Sequence, residues 1–142
     1  MTERDPRLQP FEALIGTWDT EATHPLFDGV VPGHVTLEWL EGGHFIVQRS
    51  HHDHELFPVG ICVIGAPETV DGLLMEYFDS RGVRRTYGIA LEDGVLRQWG
   101  EFPEFAQRYE ARLSPEGFTG RWQVAETPGA WKDDLEVVYR RG

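Results

Sequence analysis

The sequence predicts an all-β fold: an antiparallel up-and-down β-barrel of about ten strands with a short N-terminal helical turn. Three observations predict it. Turn-forming residues (Gly 16, Pro 9) are spread along the 142 residues rather than clustered, and aromatics reach 12%, the pattern of many short strands. Between the turns, apolar and polar residues alternate with period two. Only Pro10–Ile15 has a helical look, and no linker, low-complexity tract or internal repeat divides residues 1–142, which are read as one domain. A meander of hairpins leaves two unpaired edges, and closure into a barrel removes both. A sandwich is the structural alternative.

In order, residues 1–10 are polar and are expected to drape on the surface. Pro10 opens the helical turn and Gly16 ends it. Strand one is expected at Thr17–His24, stopped by Pro25. Residues 25–33, PLFDGVVPG, form a loop whose apolar side chains should cover something. Strand two is expected at His34–Leu40 and strand three at His44–His51, with Gly42-Gly43 as a type I′ turn. In these two strands Val35, Leu37, Trp39, Ile46 and Gln48 make the more apolar face, although Phe45 and Val47 lie opposite. A charged connection, His52–Leu56, leads to strand four, Pro58–Ile64, and a longer loop spans 65–72.

The stretch Tyr77–Tyr87, YFDSRGVRRTY, reads as a hairpin turned by Asp79-Ser80-Arg81-Gly82 and supplies strands five and six. Pairing Phe78 with Val83 places Glu76 opposite Arg85 and Leu74 opposite Tyr87. Asp93-Gly94 turns into strand seven, Val95–Glu101. Strand eight is Phe105–Leu113, strand nine Phe118–Ala125 and strand ten Ala130–Arg140. Chaining the late hairpins pairs Tyr109 with Trp122, Trp122 with Asp133 and Gly120 with Leu135. One interior then collects Glu76, Phe78, Arg85, Tyr87 and Gln98 from the middle of the chain, and Gln107, Tyr109, Trp122 and Asp133 from its end.

Composition bounds the function. The formal net charge is -11, which makes nucleic acid and anionic membrane surfaces poor partners. No apolar run approaches a membrane span and the first ten residues have no apolar signal core, so the cytoplasm is the expected location. Cys62, the single cysteine, lies in the apolar run VGICVIG and reads as a buried inert thiol. There is no P-loop, dinucleotide fingerprint, Cys-x-x-Cys or Gly-x-Ser-x-Gly.

Gly16-Thr17-Trp18 opening strand one after a helical turn, with an arginine at the end of the meander, resembles the calycins, the superfamily of lipocalins, fatty-acid-binding proteins and nitrobindins. LIGTW, EWLEGGHFIVQRS, YFDSRGVRRTY, EFAQRYEARLS and WKDDLEVVYRR are similar to a family of small bacterial calycin-like proteins of unassigned function. The resemblance implies that Trp18 packs at the closed end of the barrel against Arg140 or Arg141. Two departures bear on the ligand. Nitrobindins hold haem through a late histidine, and no histidine follows His54. Fatty-acid-binding proteins hold a carboxylate with a C-terminal Arg-x-Tyr, whereas Arg85-Thr86-Tyr87 lies mid-chain.

The candidate site residues carry two readings each. Glu76 and Arg85 form either a structural cross-strand ion pair or a desolvated pair in a cavity, with Arg85 and Tyr87 placed for a carboxylate or carbonyl. Gln107, Tyr109, Trp122 and Asp133 form either a satisfied core network or the polar end of a pocket, where desolvation would make Asp133 a candidate general base. His52-x-His54 has no third metal ligand at fixed spacing and reads as solvated loop. His24, in alternation with Trp18, Thr20 and Ala22, is the histidine best placed for ligand contact or for an axial bond to haem. The expected function is binding of a small, mostly apolar molecule with one or two oxygen groups; acid/base catalysis on such a ligand and haem binding are the alternatives. A small molecule is the expected partner, no cofactor is assigned, and a homodimer is left open.

Overall fold

A computed structural model describes residues 4–68 and 71–142. A 3-10 helix, Pro6–Leu14, precedes ten strands: β1 Gly16–Thr23, β2 Val31–Trp39, β3 Ile46–His52, β4 Gly60–Gly65, β5 Leu73–Asp79, β6 Arg84–Glu92, β7 Val95–Glu101, β8 Ala106–Arg112, β9 Gly117–Ala125 and β10 Lys132–Arg141. Each strand pairs antiparallel with the next, and β10 pairs with β1, so the meander closes as a barrel with no free edge. The face of β2 and β3 that the sequence left open is settled by burial: Val35, Leu37 and Ile46 are buried and Phe45 is exposed, although Val47 on the opposite face is buried too.

The N-terminus departs from expectation. Residues 1–3 and residues 69–70 of the expected 65–72 loop lie outside the described residues, but the rest of the leader is no drape. Asp5 caps the 3-10 helix by accepting from the Arg7 N–H at 2.9 Å, and Pro6 follows where no N–H is needed. A 3-10 helix repeats every three residues, which puts Leu8, Phe11 and Leu14 on one face, and all three are buried against the barrel. That face plugs one end, contributing about 1.5–3 kcal/mol per side chain on the transfer scale. A second departure is β2, which begins at Val31, so the covering loop is shorter than predicted. A third is the connection from β2 to β3. Leu40 and Phe45 close it with a bond of 2.9 Å, and Gly42 and Gly43 sit inside a longer loop instead of a two-residue I′ turn.

Trp18 is the centre of the plugged end. It is buried, and its indole N–H donates to the Leu14 carbonyl at 2.9 Å. Phe118 meets it edge-on at 5.1 Å. Arg141 lies over the other side of the ring at 3.8 Å and donates to the Ile15 carbonyl at 2.8 Å and the Ala13 carbonyl at 2.5 Å. Arg140 points outward and pairs with Glu21.

Two strand registers differ from those read in the sequence, and both differences move site residues. The β5–β6 turn contains three residues, Ser80, Arg81 and Gly82. The Asp79 N–H donates to the Val83 carbonyl at 3.1 Å and the Gly82 N–H to the Asp79 carbonyl at 2.9 Å. Gly82 takes a left-handed φ of 87°, the position that ends such a turn. Asp79 therefore pairs with Val83, Tyr77 with Arg85 and Met75 with Tyr87. This one-residue slip exchanges the two faces of β5 while β6 keeps its own. In the last hairpin the register shifts between Asp133 and Glu136. Gln123 faces Asp133 and Arg121 faces Glu136, so Trp122 stands opposite two residues, Asp134 and Leu135.

Candidate functional site

Above the plug the barrel encloses a cavity of about 260 Å³ with Leu14 at its floor. Its volume lies between the ~150 Å³ that holds a benzene and the roughly 300–1,000 Å³ of drug-sized pockets. The chain has four tyrosines, and all four, Tyr77, Tyr87, Tyr109 and Tyr139, face this space. Alternation delivers them: each lies on the inward parity of its strand.

Tyr87 is at the centre of one wall. Its hydroxyl donates to Gln107 Oε1 at 2.5 Å, and its ring meets Phe102 at 5.5 Å and Trp122 at 5.7 Å, edge-on. Trp122 also packs on Tyr109, with centroids 4.9 Å apart. Burial raises the pKa values of Tyr87 and Tyr109 and pushes Tyr139 up to about 12, so these hydroxyls are neutral donors at ordinary pH. Burial pushes the Cys62 thiol up to about 12 as well, which makes it the inert core thiol expected. Gln98 is buried on the same wall, directly opposite Tyr109 in the β7–β8 register.

Arg85 brings the charge. It lines the cavity, with its guanidinium over Phe105 at 5.0 Å and Phe102 at 5.7 Å. Among the described residues it has no carboxylate partner. The neighbouring cation, Arg81, is engaged: it binds Asp79 at 2.7 Å, and Asp79 also accepts from the Tyr77 hydroxyl at 2.7 Å. Those bonds, that from Arg81 foremost, hold the Asp79 carboxyl well below the usual carboxylate range, and the bond to Asp79 raises Tyr77 beyond what burial alone does.

Of the residues expected at the site, Arg85, Tyr87, Gln98, Gln107, Tyr109 and Trp122 line the cavity. Glu76 and Phe78 do not. The three-residue turn puts them on the outer face, where Glu76 accepts from the Thr86 hydroxyl at 2.9 Å and Phe78 lies half-exposed under Arg84. The expected Glu76–Arg85 pair therefore does not form. Asp133 is also outside, exposed and accepting from Gln123 at 3.1 Å, because the bulge turns Asp134 inward in its place. His24 sits just past the end of β1 and is fully engaged. Its Nδ1 accepts from the Leu26 N–H at 3.0 Å, which leaves the proton on Nε2 to be donated to Asp134 at 2.7 Å.

The sequence reading missed Tyr77, Asp134 and His52. Tyr77 was signalled by Gly82 as the third residue of a three-residue turn. His52 was signalled by continuing the Ile46–Gln48 face two steps along β3, through Ser50; both Ser50 and His52 line the cavity. Nothing in the local sequence marks the bulge that selects Asp134. Among the described residues no three His, Cys, Asp or Glu side chains gather as a metal-ligand group.

No protein-family model matches the chain, and no curated protein matches it. Among solved structures it is similar to Rv2717c from M. tuberculosis, with a TM-score of 0.67 and 15% identity over 99% of each chain. At that identity the match shows a shared barrel fold. It is also similar, with a TM-score of 0.46 and 15% identity over 92% of this chain and 95% of the other, to EF1p2_mFAP2b bound to DFHBI; no conclusion is drawn from that match.

Proposed function

We propose that the protein binds a small, mostly apolar molecule bearing an anionic or carbonyl oxygen inside its barrel, with that oxygen held by Arg85 and Tyr87. One observation carries this reading. Arg85 is a cation without a carboxylate partner among the described residues, lining the barrel cavity and backed by Phe102 and Phe105. A guanidinium so placed is matched by a ligand oxygen that accepts its N–H groups. The aromatic rings of Tyr87, Tyr109 and Trp122 supply the apolar walls. Of the two alternatives, acid/base catalysis loses its named base, since Asp133 lies on the outer face. Haem loses its named ligand, since neither ring nitrogen of His24 is free.

The test is a titration with straight-chain alkanoates, followed by tryptophan fluorescence because Trp122 stands in the wall. Arg85→Ala should weaken binding by about 1.5–3 kcal/mol, the range for a hydrogen bond to a charged group. Arg84→Ala, one residue along and outside, should change it little. Equal effects of the two substitutions would remove the assignment.

A further inference from the structure

The bulge in β10 turns Asp134 toward the cavity, which its side chain lines. One carboxylate oxygen, Oδ1, accepts from His24 Nε2 at 2.7 Å. Because His24 Nδ1 accepts from the Leu26 N–H, that imidazole holds a single proton and is neutral. Oδ2 has no hydrogen bond among the described residues, and it is not one of the sealed partnerless atoms, which are Thr20 Oγ1 and His52 Nδ1. It is therefore open to the space that Asp134 lines. Among the described residues no lysine or arginine lies within ion-pair distance of Asp134. Arg121, in the cleft beside it, is bound to Glu136 at 3.2 Å.

Arg85 is its counterpart across the barrel. β10 ends at the plug, with Arg141 over Trp18. In an antiparallel meander β6 runs the same way as β10, so both strands start at the open end. Arg85 is the second residue of β6 and Asp134 the third of β10. Four strand steps separate β6 from β10 around a ring of ten, which sets the two residues on nearly facing walls. The cavity thus has a cation and an anion on opposite sides near its mouth, and they do not pair with each other.

A charge drawn out of water without a partner is costly. Each of these two is offset by a ligand group of opposite sign. Trp122, opposite Asp134 in the bulged register, also lines the cavity, and an indole face attracts a cation. Resting on the reading of Arg85 as the anchor of the ligand's anionic end, we infer that Asp134 is a second anchor, which receives an ammonium group of the same ligand on Oδ2. A hydroxyl would fill the hydrogen bond and leave the carboxylate's charge unbalanced, whereas an ammonium does both. The ligand class is thus a dipolar amino acid, with carboxylate and ammonium at the two ends of an apolar body, and not a simple fatty acid.

The experiment compares n-alkanoates with the ω-aminoalkanoates of the same length, as a chain-length series, by tryptophan fluorescence. In wild type, at the length that spans the cavity, the amino form should bind at least about ten-fold tighter than its parent, the low end for a hydrogen bond to a charged group. Asp134→Asn keeps the side chain's size and an oxygen for His24, and it should abolish that ratio. Asp133→Asn, one residue along and outside, should preserve it. Arg85→Ala should weaken both forms and keep the ratio. A wild-type ratio near one at every length overturns the second anchor without any variant and leaves Asp134 as the holder of His24 alone. A ratio that survives Asp134→Asn overturns it too.

The reading of Arg85 fails by a different sign: alkanoate affinity indifferent to Arg85→Ala, or no alkanoate binding at all. In either case n-alkylamines, which have no anionic end, still test Asp134. Their binding should weaken at least about ten-fold in Asp134→Asn, and the second anchor falls if it does not weaken or if no alkylamine binds.

Discussion

Two arginines lie over aromatic rings at opposite ends of the same barrel, and they differ in what else they touch. Arg141 stands 3.8 Å over Trp18 and spends its N–H groups on the Ile15 and Ala13 carbonyls. Arg85 stands over Phe105 and Phe102 and meets no carboxylate among the described residues. The closed end is satisfied throughout: the Trp18 indole is bonded to Leu14, and Leu8, Phe11 and Leu14 fill the space beneath. Above it, Thr20 Oγ1 and His52 Nδ1 are buried without partners among the described residues. A protein core pairs its buried polar groups, so the closed end is built as core. The upper half encloses a cavity and keeps Arg85 without a carboxylate partner among the described residues.

The largest effect expected from this contrast is at the closed end. Trp18→Ala should cost about 3–5 kcal/mol, as a buried large-to-small change that also leaves Arg141 without the ring beneath it. Denaturant melts measure it, and a variant as stable as wild type would mean that the plug does not hold the barrel shut. The same melts on Arg85→Ala should show far less loss, because Arg85 gives up no ion pair.

The fold was largely legible because alternation and turn chemistry agree over most of the chain. Tyr109 pairs with Trp122, and Ile89 with Gln98, as the spacing predicts. Asp93 and Gly94 both take positive φ, as a type I′ turn requires. The site was half legible for a related reason. A strand's faces follow from its own alternation, but which face is inward depends on the register of its partner. Arg85 and Tyr87 were placed correctly by the pattern of β6. Glu76 and Phe78 were lost because a turn one residue different from that assumed reverses β5. Asp133 was lost to a bulge, which adds a residue on one strand without a local marker. Leu8 was missed because a 3-10 period of three leaves little trace in a sequence read for periods of two and 3.6.

The next effect lies at the rim of the cavity, in the turn that decides the register of β5. Asp79 accepts from Arg81, the Tyr77 hydroxyl and the N–H groups of Arg81 and Val83. Asp79→Asn should cost about 1.5 kcal/mol at neutral pH, the low end for hydrogen bonds to a charged group because Arg81 is half in solvent. The folded carboxyl titrates lower than the unfolded one, so its contribution is full above the unfolded value of roughly 4 and is lost as pH falls below it. The wild-type and Asp79→Asn stability curves should converge in acid. Curves that stay parallel would show that the carboxylate is not held by this turn.

The smallest effect separates the cavity half from the plugged end most directly, because it concerns a group on the cavity wall whose Nδ1 has no partner among the described residues. His52 is desolvated on the cavity wall and packs against Phe57 with ring centroids 5.4 Å apart, and its folded pKa is lowered by burial first and by His51 and His34 after. In the unfolded chain it takes a proton as pH falls through roughly 6.5; in the folded protein it stays neutral to lower pH. The unfolded state therefore binds more protons in that window, and stability falls with pH from about 6.5 until the folded imidazole is itself protonated. His52→Gln removes this contribution and nothing else that titrates. Stability of the ligand-free protein, measured by urea melts across that window, should fall less steeply with acidification in His52→Gln than in wild type. Identical slopes in wild type and His52→Gln would place His52 in water and not on the cavity wall.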